Sequence, residues 1–300
     1  MTMSSVLTLI AGAPAQPLDE ASIARAQAAL PSPGEVIWLC EGEACDIAFE
    51  EDVHELTTIR DNVRKALKGA AIDIVCQRDG NRRKRLLVAD MDSTLIGQEC
   101  IDEIGDYVGL KDKISFITER AMRGELEFDS ALRERVALLK GIEKSALQTI
   151  FDNQIRLNPG ARTLARTMVA HGARAIIVSG GFTFFTARIA EAAGFDASQA
   201  NRLEISQGKL TGAVIEPILG SQAKLEALHH YREVMDIGQA DTLCVGDGAN
   251  DLAMLSEAGL GIAYYAKPVV AAKAHACVNH GDLTALLFAQ GYARGEFVED

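Results

Sequence analysis

Cysteine is sparse in this chain and follows no pattern: six residues, Cys40, Cys45, Cys76, Cys100, Cys244 and Cys277, include no CxxC pair. That argues against a zinc ribbon or a dithiol redox pair, and several of the six fall in apolar, strand-like runs, the setting of reduced buried thiols in the cytoplasm. Histidine is also scarce, and the adjacent His229 and His230 point in different directions on a helix, so neither has a ligand role. No apolar run reaches the ~20 residues of a membrane-spanning helix, so no membrane partner is expected. The amino-terminal MTMSSVLTLIAGAPAQ has the small-residue spacing of a secretory cleavage site at Ala11 and Ala13. Its first basic residue is only Arg25 and its apolar run is short, so it reads as a first strand. Positive charge is in deficit, with a formal net charge of -12 and one basic block, NRRKR at 81–85. A nucleic-acid scaffold needs a basic face and is excluded; a small anionic substrate held by a few cations is not.

What is present is an ordered grammar of strands and helices. Residues 5 to about 77 read as strand (VLTLIAG), helix (LDEASIARAQAAL), strand (EVIWLC), strand (CDIAFE), helix (ELTTIRDNVRKALKG) and strand (AIDIVCQ), a βαββαβ order that suits a small α+β unit. NRRKR reads as a solvated basic turn and as the boundary between a unit at 1–80 and one at 81–300. Beyond it, LLVAD, ARAIIVS, TLCVGD and LGIAYY are strands followed by helices or turns, the pattern of a parallel sheet covered on both faces. Some 75 mostly helical residues separate the first two of these strands. That is too long for one crossover helix and predicts an inserted helical cap at about 98–165.

The chemistry is concentrated where those strands end. In LLVADMDSTLIGQE, an apolar strand stops at Asp90 and Asp92. Active sites of open parallel sheets lie beyond the carboxyl ends of the strands. The second strand delivers Ser179, Gly180 and Gly181 there, the third delivers Asp247 in VGDGAND, and a helix brings Lys224. Crowded carboxylates repel, and an oxygen-only set without His or Cys favours Mg²⁺ over a softer metal. Lys224 and the Ser179 hydroxyl would hold further anionic oxygens, and the amides at the end of VSGG, running into a helix, form an anion seat. The set points to a phosphoryl group. One aspartate would attack phosphorus and the other would reach the leaving oxygen, so that an aspartyl-phosphate divides hydrolysis into two easier displacements.

DMDST at 90–94, Ser179 in VSGGF, Lys224, and GDGAND at 246–251 together resemble, in order, the four motifs of the haloacid dehalogenase superfamily. IGQE after the first motif and the cap run AMRGELEFDSALRERV are similar, more narrowly, to its bacterial phosphoserine phosphatases. The resemblance covers most of residues 86 to 290. It implies a Rossmann-like parallel sheet with an inserted helical cap, behind an ACT-like α+β domain. It implies Mg²⁺-dependent hydrolysis of O-phospho-L-serine, the last step of serine biosynthesis, by a cytoplasmic enzyme. Asp90 would be the phosphorylated nucleophile and Asp92 the general acid and base. Mg²⁺ would be held by Asp90, the backbone carbonyl of Asp92 and Asp247, with Asp251 in support. Ser179, the Gly180 amide and Lys224 would bind phosphate and Asn250 would help position it. Glu99 would face the substrate ammonium and Arg135 its carboxylate.

Helix geometry bears on Arg135. In SALRERVALL, Ala131, Leu132, Val136, Leu138 and Leu139 share an apolar arc at 100° per residue; Arg135 falls inside it, Arg133 and Glu134 outside. A cation facing inward needs an anion: a substrate carboxylate, or an internal partner such as Glu103 or Glu119. Competing functions fit less well. A dinucleotide site fails because Asp251 stands where GxGxxG needs its third glycine. A phospho-accepting signalling receiver needs neither Asp92 nor a large cap, and a transport ATPase needs membrane segments. A phosphatase or phosphomutase for another small metabolite stays open; a sugar phosphate, however, offers nothing to Glu99 and Arg135. For the amino-terminal unit, binding an amino-acid effector and pairing two subunits into a homodimer both remain open.

Overall fold

The computed structural model describes residues 3–12, 16–51, 56–123 and 125–299. Ala13 of the cleavage-like spacing, Glu55 at the start of the second expected helix and Gly124 of the cap run lie outside them. The chain opens with β1 (Met3–Ala11), α1 (Glu20–Ala28), β2 (Val36–Cys40), β3 (Ala44–Glu51), α2 (Leu56–Ala66) and β4 (Ile72–Arg78). These strands form an antiparallel layer in the order β2-β3-β1-β4. Leu7, Leu9 and Ala11 of β1 alternate toward one face, where Ile23 and Ala26 of α1 and Ile59 and Val63 of α2 close a small apolar core.

β5 (Leu86–Ala89) follows, then five helices: α3 (Cys100–Tyr107), α4 (Lys111–Met122), α5 (Phe128–Ala137), α6 (Lys144–Gln154) and α7 (Ala161–Ala170). The chain continues through β6 (Arg174–Phe182), α8 (Thr183–Ala193), β7 (Ala197–Ser206), β8 (Lys209–Ile215), α9 (Ser221–Val234), β9 (Thr242–Gly246), α10 (Leu252–Glu257), β10 (Leu260–Tyr264), α11 (Pro268–Ala271), β11 (Ala276–Val278) and α12 (Ala285–Ala289). β11, β10, β9, β5, β6 and β7 are parallel neighbours, with β8 antiparallel at the end. β5 is the centre, and its four residues are fully buried. Leu87 and Ala89 face a core shared with Leu164 and Met168 of α7 and Phe185 and Ile189 of α8. Leu86 and Val88 face Leu228 of α9 and Met254 and Leu255 of α10. A strand covered on both faces reads as an unbroken apolar run, which is why LLVA was visible.

Two expectations need correction. β7, β8 and β11 are strands that the sequence pattern did not reveal. NRRKR is a turn that is only partly solvated: Asn81, Arg83 and Arg85 are exposed, but Arg82 is half-buried and Lys84 is 7% exposed. Arg82 forks onto both oxygens of Asp46 on β3, at 2.7 and 3.1 Å, and Thr8 of β1 also donates to that carboxylate. The Lys84 ammonium donates to the carbonyls of Asn81 and Ala240. These bonds help to fasten the amino-terminal layer to the parallel sheet. β4 pairs with β11 through one antiparallel position, Ile74 with Cys277. Beside it, the buried Asp73 carboxylate accepts the backbone N–H groups of Asn279, His280 and Gly281 at 2.8, 3.2 and 2.7 Å. One eleven-stranded sheet therefore runs through the whole molecule.

Removing one member of a buried ion pair leaves the other desolvated without a partner and costs about 3 kcal/mol or more. Asp46→Ala should therefore lower the urea midpoint by that equivalent, and the double variant Asp46→Ala/Arg82→Met should recover part of it. A loss below ~1 kcal/mol in the single variant would show that the pair does not secure the junction.

Candidate active site

β5 ends in a ladder bond from the Asp90 N–H to the Val245 carbonyl at 3.0 Å. The chain then turns tightly: the Met91 carbonyl accepts from the N–H groups of Thr94, Leu95 and Ile96, and Ser93 takes the left-handed conformation at φ 56°. This turn lets both acids of DMD reach the end of the strand. Asp92 Oδ1 accepts the Cys100 N–H at 3.1 Å, so the carboxylate sits at the positive end of α3. Its other oxygen lies 3.5 Å from Ser179 Oγ, which reaches in from β6. A Cβ on Gly181 would lie 2.6 Å from Asp92 Oδ2, so any larger residue there would push that carboxylate aside. The Gly181 N–H donates to Ser179 Oγ at 2.9 Å, which leaves the expected anion seat one amide poorer.

Beneath the cavity floor, Lys224 is 1% exposed. Its Nζ lies 2.7 Å from Asp90 Oδ2 and 2.5 Å from Asp251 Oδ1. Burial alone would lower the Lys224 pKa, but the carboxylates of Asp251 and Asp90 raise it. Asp90 is driven well above the ordinary carboxylate range, by burial first and then by the charge of Asp251. Burial and the charge of Asp251 push Asp247 up to about 6; burial and the charge of Glu99 push Asp92 up to about 7. Oxygens of Asp90, Asp247 and Asp251 lie within 4.8 Å of one another. Three neighbouring carboxylates, two of them paired with one ammonium and none accompanied by a histidine or cysteine ligand, fit a hard divalent cation, which would offset the remaining negative charge.

A cavity of about 470 Å³ opens above these groups, lined by Asp90, Asp92, Ser179, Gly180, Asp247 and Asn250 at its floor and by Glu99 and Arg135 from the cap side. Every expected site residue lines it except Lys224 and Asp251, which lie beneath. Ser93 Oγ donates to Glu99 Oε1 at 2.7 Å. Arg135 donates to Thr118 Oγ1 and to the Ala131 carbonyl, each at 3.3 Å. Ala131, Leu132, Val136 and Leu139 of its arc are buried. Neither Glu103 nor Glu119 pairs with it: among the described residues no carboxylate lies within 4.0 Å of its guanidinium. Its pKa is lowered by burial, against the opposing pull of Asp102 and Glu99.

Sequence reasoning missed three participants. Thr94 Oγ1 donates to Asp247 Oδ1 at 3.2 Å and so joins the first acidic loop to the last. Lys267, just ahead of α11, adds a cation at the cavity wall. Phe128 lines the cavity seven residues before Arg135, two helical turns away on the same face, a spacing from which it was discoverable.

Comparisons with known proteins agree with this geometry. A phosphoserine phosphatase of Streptomyces coelicolor is 42% identical over 231 residues, 77% of this chain and 56% of its own length. A haloacid-dehalogenase-family hydrolase from Salmonella enterica subsp. enterica serovar Typhi superposes with a TM-score of 0.86 at 28% identity, over 95% of this chain and 98% of that one. A phosphoserine phosphatase solved as an analogue of its phospho-aspartyl intermediate superposes with a TM-score of 0.64 at 39% identity, over 69% of this chain and 98% of that one. The family model of haloacid dehalogenase-like hydrolases matches residues 87–256. That span exceeds half of the sequence and contains all four acidic and phosphate-binding motifs, so the chain belongs to the haloacid dehalogenase-like hydrolases.

Proposed function

We propose that the chain hydrolyses O-phospho-L-serine to L-serine and phosphate through a phosphorylated Asp90. The observation that carries this reading is the cavity's division: phosphoryl-handling groups at its floor, and on the cap side the carboxylate of Glu99 and the guanidinium of Arg135, not paired with each other, with Asp102 and Lys267 also at the wall. A substrate with a phosphate, an ammonium and a carboxylate satisfies all three. The relatives named above support the same substrate.

In this mechanism Asp90 attacks phosphorus and Asp92 protonates the departing serine oxygen. Asp92 then takes a proton from the water that cleaves the acyl phosphate. Lys224 fixes Asp90 Oδ2, while the Met91 N–H holds Oδ1 at 2.7 Å, so the nucleophile meets phosphorus in one orientation. Ser179 and the Gly180 amide hold the phosphoryl oxygens and Asn250 helps to place them. Asp90, Asp247 and the Asp92 carbonyl, with Asp251 in support, would hold Mg²⁺, which when bound would supply positive charge to keep Asp90 ionised and to offset the phosphoryl oxygens. Among the described residues, none of 1–80 lines the cavity. We assign them a regulatory or pairing role and place the chemistry in residues 81–300.

Phosphate release should be fastest from L-phosphoserine, should stop with EDTA and should return with added Mg²⁺. Faster release from a sugar phosphate would overturn Glu99 and Arg135 as selectors. Asp90→Asn should lower kcat roughly 10³-fold or more, because an amide cannot form the acyl phosphate; near-normal turnover would remove it as nucleophile. Arg135→Ala should raise KM for phosphoserine about 30-fold, a charge-assisted bidentate contact being worth ~2 kcal/mol. Phosphoethanolamine, which lacks the carboxylate, should be nearly unaffected; equal losses on both substrates would make the arginine structural.

A further inference from the structure

Two backbone segments from different parts of the chain pack against the Phe128 ring, and the first of them lines the cavity. One is Ser179–Gly181, where the pairing of β6 with β7 shifts register between Val178 and Phe182. The other is Leu219–Gly220, which leads directly into α9 and so sets where Lys224 begins its reach. Among the described residues no backbone hydrogen bond joins them. A single side chain does. Asn201 on β7 is 1% exposed. Its Nδ2 donates to the Gly180 carbonyl at 2.9 Å and to the Leu219 carbonyl at 3.1 Å, and its Oδ1 accepts the Leu219 N–H at 2.8 Å.

This arrangement admits one orientation of the amide, because the reverse would turn its oxygen toward two carbonyls. The Gly180 carbonyl bonds to Asn201 at the place where the β6–β7 ladder is interrupted. On the cavity side the Phe128 ring lies against both segments: a Cβ built on Gly180 or Gly220 would come within 3.2 or 3.3 Å of it. The gap between the segments is thus filled by an aromatic ring on one side and held by three hydrogen bonds on the other.

We propose that Asn201 is a positioning residue for phosphate binding, fixing the separation between the Gly180 amide and the helix that carries Lys224. The proposal rests on the reading that Ser179, Gly180 and Lys224 serve the phosphoryl group. Asn201 touches neither substrate nor reacting atoms; it acts through the two segments it joins.

The test is isothermal titration of inorganic phosphate and, separately, of L-serine into the full chain with Mg²⁺, before and after Asn201→Asp and Asn201→Ser. Asp keeps the shape but sets an oxygen against two carbonyls; Ser shortens the clamp without adding charge. Both variants should weaken phosphate binding about tenfold while changing serine binding less than twofold, since Glu99, just ahead of α3, and Arg135, on α5, share no hydrogen bond with Asn201. Unchanged phosphate affinity overturns the proposal. So does parallel weakening of both ligands, which would mean general loosening, or failure of Asn201→Ser to fold by circular dichroism, which would make the amide a part of the core. If phosphate binds the unsubstituted chain and L-serine does not, the phosphoserine reading fails while the phosphate arm still decides the role of Asn201. If phosphate does not bind the unsubstituted chain, both readings fall together.

Discussion

One ammonium between two buried carboxylates is the constraint on which the site depends. Lys224 cannot be buried without Asp90 and Asp251, and those two cannot lie so close without it. Meeting this condition requires β5 beside β9, so that the ends of both strands open at the same level, and α9 packed against the back of β5 through Leu228. Asp247 is a third carboxylate, and among the described residues no cation pairs with it: its hydrogen bond comes from the neutral hydroxyl of Thr94. The fold thus prepares a negative hollow of the kind that suits a divalent cation.

The parts of this arrangement legible in the sequence were those with a short-range signature. β5 announced itself by uninterrupted apolar residues ending in two acids, and Arg135 by falling inside an apolar helical arc. What escaped depended on partners distant in sequence. NRRKR reads as solvated because nothing near it shows that Asp46 will accept a fork from Arg82 across the junction. β11 has three residues, too few to establish a period. β7 runs into LEIS, where only Leu203 among the four is shielded from solvent, so neither alternation nor a buried run marks it as a strand. Asn201 looks like a turn residue, since asparagine favours turns, and only the three backbone groups around it reveal its part.

In the proposed reaction the cap and the parallel sheet divide the work of recognition. The sheet supplies groups fixed by strand ends and tight turns, which suits chemistry that tolerates little displacement. The cap supplies Glu99 near its first turn, and Phe128 and Arg135 two turns apart on one helix. Selectivity can therefore vary by substitution on α5 while the machinery beneath stays unchanged, a separation that permits many substrates to share one reaction.

The fusion of the two strand layers bears on how copies of this molecule meet. A sheet edge is a row of unpaired N–H and C=O groups that recruits other strands. Because β4 covers β11, the two ends of the strand order are β2, which carries the exposed Ile37 and Trp38, and β8, whose Leu210 already exchanges backbone hydrogen bonds with Gly141 and Ile142. β5, β6 and β9, whose ends build the cavity, are interior. Any lengthening of the sheet by a neighbouring chain adds strands beyond those outer edges and leaves the catalytic strands between the partners they already have.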